Sequence, residues 1–317
     1  MNYTGRLAPS PTGALHLGNV RTFMVAWLRA RSQGGRVIMR MEDLDHPRDK
    51  PDAAQAALDD LRWLGFDWDE EFTQSERRAY YRECLQELIG KGLAYPCTCS
   101  RKDVESAQSA PHEGEQLYYP GTCRGRWKTW SDAAAAIAPR IPCWRFAASS
   151  LGDAAKVWFD DAIFGRYAQD VAKTLGDFPL ARDEDGAGYT LAALADDVAM
   201  GVSEVVRGAD LLAATPAQIL VARALGCEPP RYCHVPLVVG ADGKRLAKRH
   251  GDSRIASFRA AGIPAESIIG RLAHSCGWGD GAPCTLAALV EHFDIATIPR
   301  EPLRVAEFDC ARGEFLL

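Results

Sequence analysis

The stretch Arg6-Leu7-Ala8-Pro9-Ser10-Pro11-Thr12-Gly13-Ala14-Leu15-His16-Leu17-Gly18-Asn19 decides how this chain folds. Before it, Tyr3 to Pro9 reads as a short strand; after it, a helical pattern runs from about Asn19 to Gln33. The prolines and glycines between them mark a tight loop. A helix N-terminus offers free backbone N–H groups and positive dipole, Gly18 allows close backbone approach, and His16 can donate to a phosphate oxygen. The same residues also suit an ordinary strand-to-helix turn capped by Asn19, and the stretch alone does not choose.

Working outward, Arg36 to Met41 alternates as a strand after Gly34-Gly35, and helices follow near Asp52 to Leu64 and Arg77 to Lys91. Such alternation favours an α/β fold with a doubly wound parallel sheet. From Pro96 to about Ala172 the character changes, with cysteines, a polar stretch at Ser106 to Gln116 and tryptophans at Trp127 and Trp130, which reads as an insertion. The α/β pattern resumes with Leu191 to Val198, Glu204 to Gly208, Pro216 to Leu225 and Val235 to Val239, before the turn Ala241-Asp242-Gly243. Beyond Gly251 lie 66 residues that are mostly helical by pattern. The expected organisation is a catalytic domain in two halves, 1–95 and 173–251, an insertion at 96–172 and a helical region at 252–317.

The 317 residues suffice for about two domains of the usual ~100–200 residues. With 47% hydrophobic and 25% charged residues, and no apolar run near the ~20 residues that span a bilayer, the composition is that of a globular protein without membrane contact. Met1 to Ser10 carries no basic-then-apolar leader, so a cytoplasmic location is expected. A net charge of −5 argues against a general nucleic-acid coat but leaves room for a local basic face. Ten cysteines in a long chain of this kind point to reduced thiols and a metal site rather than disulfides. Seven of them (84, 143, 227, 233, 276, 284 and 310) are scattered and read as small buried hydrophobes or inert thiols.

Far downstream, Gly243-Lys244-Arg245-Leu246-Ala247-Lys248-Arg249-His250-Gly251 places four cations in six positions after an apolar strand. A glycine-flanked basic loop of this kind can clamp a triphosphate and stabilise charge on leaving pyrophosphate, although a basic run can also be a solvated surface turn. Together the two segments resemble the HIGH and KMSKS signatures of class I aminoacyl-tRNA synthetases, with His16 to Asn19 standing for the first and Arg245 to Arg249 for the second. Arg6 to Gly13, Arg40-Met-Glu42-Asp-Leu-Asp45, Tyr189 and Asp197 to Gly208 narrow the resemblance to glutamyl-tRNA synthetases, over roughly Met1 to Gly251. It implies a Rossmann-type catalytic fold, His16 and Lys248 as catalytic residues, and ATP held by His16, Gly18, Asn19, Arg245, Leu246 and Lys248, with Mg²⁺ assisting.

The resemblance also implies a glutamate site at Arg6, Ala8, Ser10, Glu42, Tyr189 and Arg207. Its chemistry is coherent. Arg6 and Arg207 can each hold a carboxylate bidentately, Glu42 can neutralise the ammonium, and Tyr189 and Ser10 can supply hydroxyls. Glutamine would leave a buried cation unpaired and be rejected. Arg6 and Glu42 could equally be a plain inter-strand ion pair, and Tyr189 a core ring.

Cys97-Thr98-Cys99 and Tyr119-Pro-Gly-Thr-Cys123 supply three thiolates and a phenol, a donor set for one closed, structural zinc per chain. They could also be unrelated loop cysteines. Zinc-bearing members of the resembled family share Cys-x-Cys with Tyr-x-x-x-Cys, with Tyr118 the competing tyrosine.

A full glutamyl-tRNA synthetase continues past its basic loop with anticodon-binding domains, for which the 66 residues after Gly251 leave no room. The chain therefore resembles the shortened branch of the family, which activates L-glutamate without RNA and attaches it to queuosine, the modified wobble base of tRNA(Asp). The expected partners are that tRNA, L-glutamate and ATP, and a monomer is expected. Two departures stand out: Ala247 replaces the serine of KMSKS, and Asn19 the second histidine of HIGH.

Overall fold

A computed structural model describes residues 3–44, 52–107, 117–244, 253–305, 307–309 and 314–316. The opening stretch folds as strand β1 (Thr4–Leu7), a loop and helix α1 (Leu17–Arg31). His16 caps the helix: its Nδ1 accepts from Gly18 N–H at 3.1 Å, while the Asn19 side chain accepts from His16 N–H at 3.1 Å. Val20, Met24 and Leu28 recur at helical spacing and are fully buried. The helix stops at Ser32, and Gly34 then turns in the left-handed region. A Cβ on Gly35 would lie 2.5 Å from the Tyr3 carbonyl, so only glycine lets the chain fold back beside β1.

Strand β2 (Arg36–Met41), helix α2 (Ala53–Trp63), β3 (Glu70–Thr73) and α3 (Arg78–Gly90) complete the first half, with β1, β2 and β3 paired in parallel. Next come β4 (Ala94–Cys97), α4 (Arg101–Ala107), α5 (Trp130–Ile137), β5 (Cys143–Phe146), β6 (Lys156–Asp161), β7 (Gly165–Asp170), α6 (Val171–Thr174) and β8 (Phe178–Ala181). Strands β4, β5 and β8 form an antiparallel sheet of their own. The second half follows as α7 (Tyr189–Ala199), β9 (Glu204–Gly208), α8 (Thr215–Ala224), β10 (Arg231–Val235) and β11 (Val238–Gly240). Here β9, β10 and β6 run parallel, with β7 antiparallel at the edge, so β6 joins this sheet rather than that of β4 and β5.

The two parallel sets meet at β1 and β9, where Ser203 N–H donates to the Thr4 carbonyl at 2.9 Å and Arg6 Nη1 to the Val206 carbonyl at 2.7 Å. The chain leaves β1 for β2 on one side and reaches β9 on the other. A crevice opens beyond the strand ends at such a reversal, the usual place for a ligand in open α/β sheets.

Helices α9 (Ile255–Ala260), α10 (Ala265–His274) and α11 (Leu286–Leu289) follow, then short strands β12 (Leu303–Val305), β13 (Glu307–Asp309) and β14 (Glu314–Leu316) that the helical pattern does not reveal. Phe258, Ile268, Ile269 and Leu272 share one core with Val20 and Met24 of α1; a second core gathers α3, α7 and α8 around Tyr81, Leu191 and Ile219. Buried Arg21 on α1 ties the last region on, donating to Ser275 Oγ at 3.0 Å and to the Pro236 carbonyl at 2.8 Å. Among the described residues no helix is long and apolar enough to cross a membrane.

Candidate active site

The crevice at β1 and β9 is a cavity of about 440 Å³. The sequence-predicted Arg6, Ala8, His16, Gly18, Asn19, Glu42, Tyr189 and Arg207 all line it, although they come from four separate stretches. Ser10 is exposed and lines an adjoining cavity of about 260 Å³, which shares Glu42 and Tyr189 with the first. Arg245, Leu246, Ala247 and Lys248 lie outside the described residues. The chain on either side of that loop is at the site: Leu237 and Val238 line the cavity before it, and after it Ser253 accepts from Leu17 N–H at 3.0 Å while Arg254 bridges to His16.

The two arginines are almost wholly buried, Arg6 at 5% and Arg207 at 4% exposure. Arg207 donates from Nε to His234 Nε2 at 3.1 Å, from Nη2 to Thr215 Oγ1 at 2.7 Å and from Nη1 to Tyr189 Oη at 3.3 Å. A guanidinium has five N–H groups, so these bonds leave one on each terminal nitrogen. Glu42 pairs with Arg40 rather than forming the anticipated alternative pair with Arg6: Arg40 Nη2 reaches Glu42 Oε1 at 2.9 Å and Nη1 reaches Asp197 Oδ1 at 2.7 Å. Burial pushes the Glu42 carboxyl above the ordinary range, opposed by the cations of Arg40 and Arg6. In the His16 ring, Nδ1 accepts from Gly18, which in the neutral form puts the proton on Nε2.

Residues 3–309 match the family described as "tRNA synthetases class I (E and Q), catalytic domain". A protein of Rhodopirellula baltica named "Glutamyl-Q tRNA(Asp) synthetase" is 42% identical over 96% of this chain and 96% of its own length. A protein of the same name from Symbiobacterium thermophilum is 46% identical over 95% of both chains. The chain belongs to the glutamyl-Q tRNA(Asp) synthetase family. Its fold matches the crystal structure of a glutamate tRNA ligase from Elizabethkingia meningosepticum in complex with its amino acid, at a TM-score of 0.78 and 24% identity, over 96% of this chain and 67% of that one.

As a member of that family the chain is a ligase of the class I synthetase type. A second cluster lies away from the cavity. The sulfurs of Cys97, Cys99 and Cys123 are all within 4.8 Å of one another, Cys99 and Cys123 being 3.6 Å apart. Tyr119, and not Tyr118, joins them: its Oη is 3.2 Å from Cys97 Sγ and 3.5 Å from Cys99 Sγ. The Cys123 N–H donates to the phenol oxygen at 2.9 Å, and Arg145 donates to Cys97 Sγ at 3.2 Å. In the protein alone these groups hold their protons, the Cys123 thiol being pushed up to about 11 by its bond to Cys97 and by burial. The set is suited to a metal ion.

Sequence reading missed Arg40 as a structural partner, together with Asp161, His234 and Thr215 behind Arg207. Arg40 stood beside Glu42 in a quoted motif. His234 and Thr215 are single polar residues in mostly apolar stretches and Asp161 is the second of two adjacent acids, with nothing in their spacing to mark them.

Proposed function

We propose that this synthetase activates L-glutamate with ATP, without RNA, and transfers it to the queuosine at the wobble position of tRNA(Asp). The observation that carries the reading is the charge match of the crevice: two buried guanidiniums, a carboxylate and a phenol line the same cavity as the N-terminus of α1. The remaining N–H on each terminal nitrogen of Arg207 is what a carboxylate fork takes. Arg6 and Arg207 hold the substrate carboxylates, Glu42 holds the ammonium, and Tyr189, Ala8 and Ser10 shape the pocket.

The α-carboxylate of glutamate attacks the α-phosphorus of ATP and pyrophosphate leaves. His16 Nε2–H, the backbone at Gly18 and Asn19, and Arg245, Leu246 and Lys248 receive the nucleotide, with Mg²⁺ assisting. No enzyme nucleophile takes part; positioning and fixed charge supply the acceleration. A hydroxyl of the queuosine cyclopentene ring then attacks the activated carbonyl, and AMP leaves. Rejection of glutamine follows from the burial of both arginines, because the neutral amide would leave a desolvated cation without its partner.

One zinc ion at Cys97, Cys99, Tyr119 and Cys123 fits the donor set. A tetrahedral shell with bonds of ~2.3 Å has sulfur atoms ~3.8 Å apart, close to the spacing found. The ion would hold the thiolates and brace the loop between β4 and α5, with no open position for chemistry.

Radiolabelled glutamate decides the acceptor. The purified protein should catalyse glutamate-dependent ATP–pyrophosphate exchange without RNA and then leave label in the anticodon of queuosine-bearing tRNA(Asp). Label at the 3′ end of unmodified tRNA(Glu) would instead make it a short glutamyl-tRNA synthetase, and tRNA binding without exchange a non-catalytic paralogue.

A further inference from the structure

Behind Arg207 lies a chain of buried groups that lines neither cavity. Asp161, the last residue of β6, has both carboxylate oxygens filled: Oδ1 accepts from Ile163 N–H at 3.0 Å and Phe164 N–H at 2.9 Å, and Oδ2 from His234 N–H at 3.0 Å. His234 Nδ1 lies 2.7 Å from the same Oδ2, and neither side chain has any exposure. On the far side of the ring, Nε2 is 3.1 Å from Arg207 Nε. An ionised carboxylate can only accept and a guanidinium can only donate, so both ends of the imidazole demand one tautomer: hydrogen on Nδ1, lone pair on Nε2.

We propose that Asp161 and His234 are positioning residues for Arg207, together fixing the rotation of the guanidinium that reads the acidic substrate. The proposal rests on the reading of Arg207 as a glutamate ligand. The carboxylate fixes the tautomer, the tautomer supplies the acceptor, and that acceptor holds Nε so that the terminal nitrogens face the cavity. Thr215 Oγ1, which accepts from Nη2 at 2.7 Å, braces the plane from α8. Around the ring stand Asp161 and Phe159 on β6, Arg207 on β9, Thr215 on α8, the Arg6 cation on β1 and Tyr232, stacked at 15° on β10 itself. Burial and the neighbouring cations hold the imidazole neutral, the form the relay needs. Strand β6 thereby reaches the site from the stretch between β5 and β8, although it places no side chain in the cavity.

Steady-state ATP–pyrophosphate exchange separates positioning from folding. His234→Phe, which keeps a ring and removes both nitrogens, should raise KM for glutamate on the order of tenfold or more; His234→Gln, whose amide oxygen can stand where Nε2 was, should stay within about threefold of the parent. KM for ATP should not change in either. If Arg207→Lys raises KM for glutamate and His234→Phe does not, positioning is refuted and the role of Arg207 stands. If Arg207→Lys leaves KM for glutamate unchanged, the glutamate reading itself fails, and this proposal with it. Should His234→Phe fail to fold, nitrogen-15 spectra of histidine-labelled parent protein decide: the proposal requires hydrogen on Nδ1 of His234, and the Nε2–H tautomer overturns it.

Discussion

Arg40 and Glu42 lie two residues apart at the end of β2, so both project from one face of the sheet, and the guanidinium meets the carboxylate at 2.9 Å. Arg40 has no exposed surface and also serves Asp197 at 2.7 Å, with Asp196 at 3.9 Å. Arg77 also meets Asp196 at 2.7 Å and Arg6 meets Asp197 at 3.4 Å, so three cations balance three acids beneath the crevice, and Glu42 is the acid that faces the cavity.

Arg40→Met should therefore be among the most damaging single changes. It leaves Glu42 without its ion-pair partner while Asp197 keeps Arg6 and Asp196 keeps Arg77, a loss of about 3–5 kcal/mol by analogy with broken buried pairs. Urea unfolding should show the loss as a lower midpoint with an unchanged slope; a midpoint near that of the parent would mean that Arg6 and Arg77 suffice for these acids.

Glu42→Gln separates stability from function. Because burial raises the folded-state pKa of this carboxyl, the ionised form costs stability at neutral pH, so the neutral amide should melt no lower than the parent at pH 7. On the proposed reading of Glu42, the ammonium of glutamate then loses its countercharge, worth about 1.5–3 kcal/mol, and KM for glutamate should rise roughly tenfold to a hundredfold. Exchange assays beside thermal melts test both halves, and a lower melting point with unchanged KM would reverse the assignment.

The cysteine cluster predicts metal content. Elemental analysis of protein purified without chelator should give about one zinc per chain, and Cys97→Ser combined with Cys99→Ser should abolish it. Since the ion would brace a loop and hold no substrate, chelation should lower the melting temperature before it alters KM for ATP or glutamate. Retention of metal by the double variant would place the ion elsewhere.

Acid should weaken the fold through His234. Its folded-state pKa lies below the ordinary value, first because of burial, with Asp161 opposing and Arg207 adding to the depression. The unfolded chain takes up this proton first as pH drops below ~6.5, so the stabilisation is complete above that value and is lost as pH falls toward the folded pKa. Denaturant titrations between pH 7.5 and about 5 should show declining stability, and the decline should shrink in His234→Gln.

Much of the catalytic half was legible because its signals are local. The glycines and prolines around His16 have a strand on one side and a helix on the other, and the cap, which His16 rather than Asn19 supplies with Asn19 reciprocating, arises within three residues. The candidate ligands Arg6, Glu42, Tyr189 and Arg207 could be named because they sit in recognisable short motifs. The placing of β6 was not legible: a hairpin in a stretch rich in cysteine and tryptophan gives no sign of which sheet it joins. Nor were the partners of Arg6 and Glu42, for which an inter-strand pair between them was equally reasonable on charge alone.

By itself the sequence determined the nature of the loop before α1, the charge type of each candidate ligand and the spacing of the thiols, since these depend on residues near one another along the chain. Only the tertiary structure decided that Arg40 neutralises Glu42, that Tyr119 rather than Tyr118 meets the three sulfurs, and that Asp161 stands behind Arg207 through His234. The relay joins groups distant in sequence, and even for the near neighbours Arg40 and Glu42 the rival partners Arg6 and Asp197 come from distant strands and helices. Burial makes these choices, because a charge removed from water must be matched by whichever group the packing of β1, β6, β9 and β10 brings within hydrogen-bond reach.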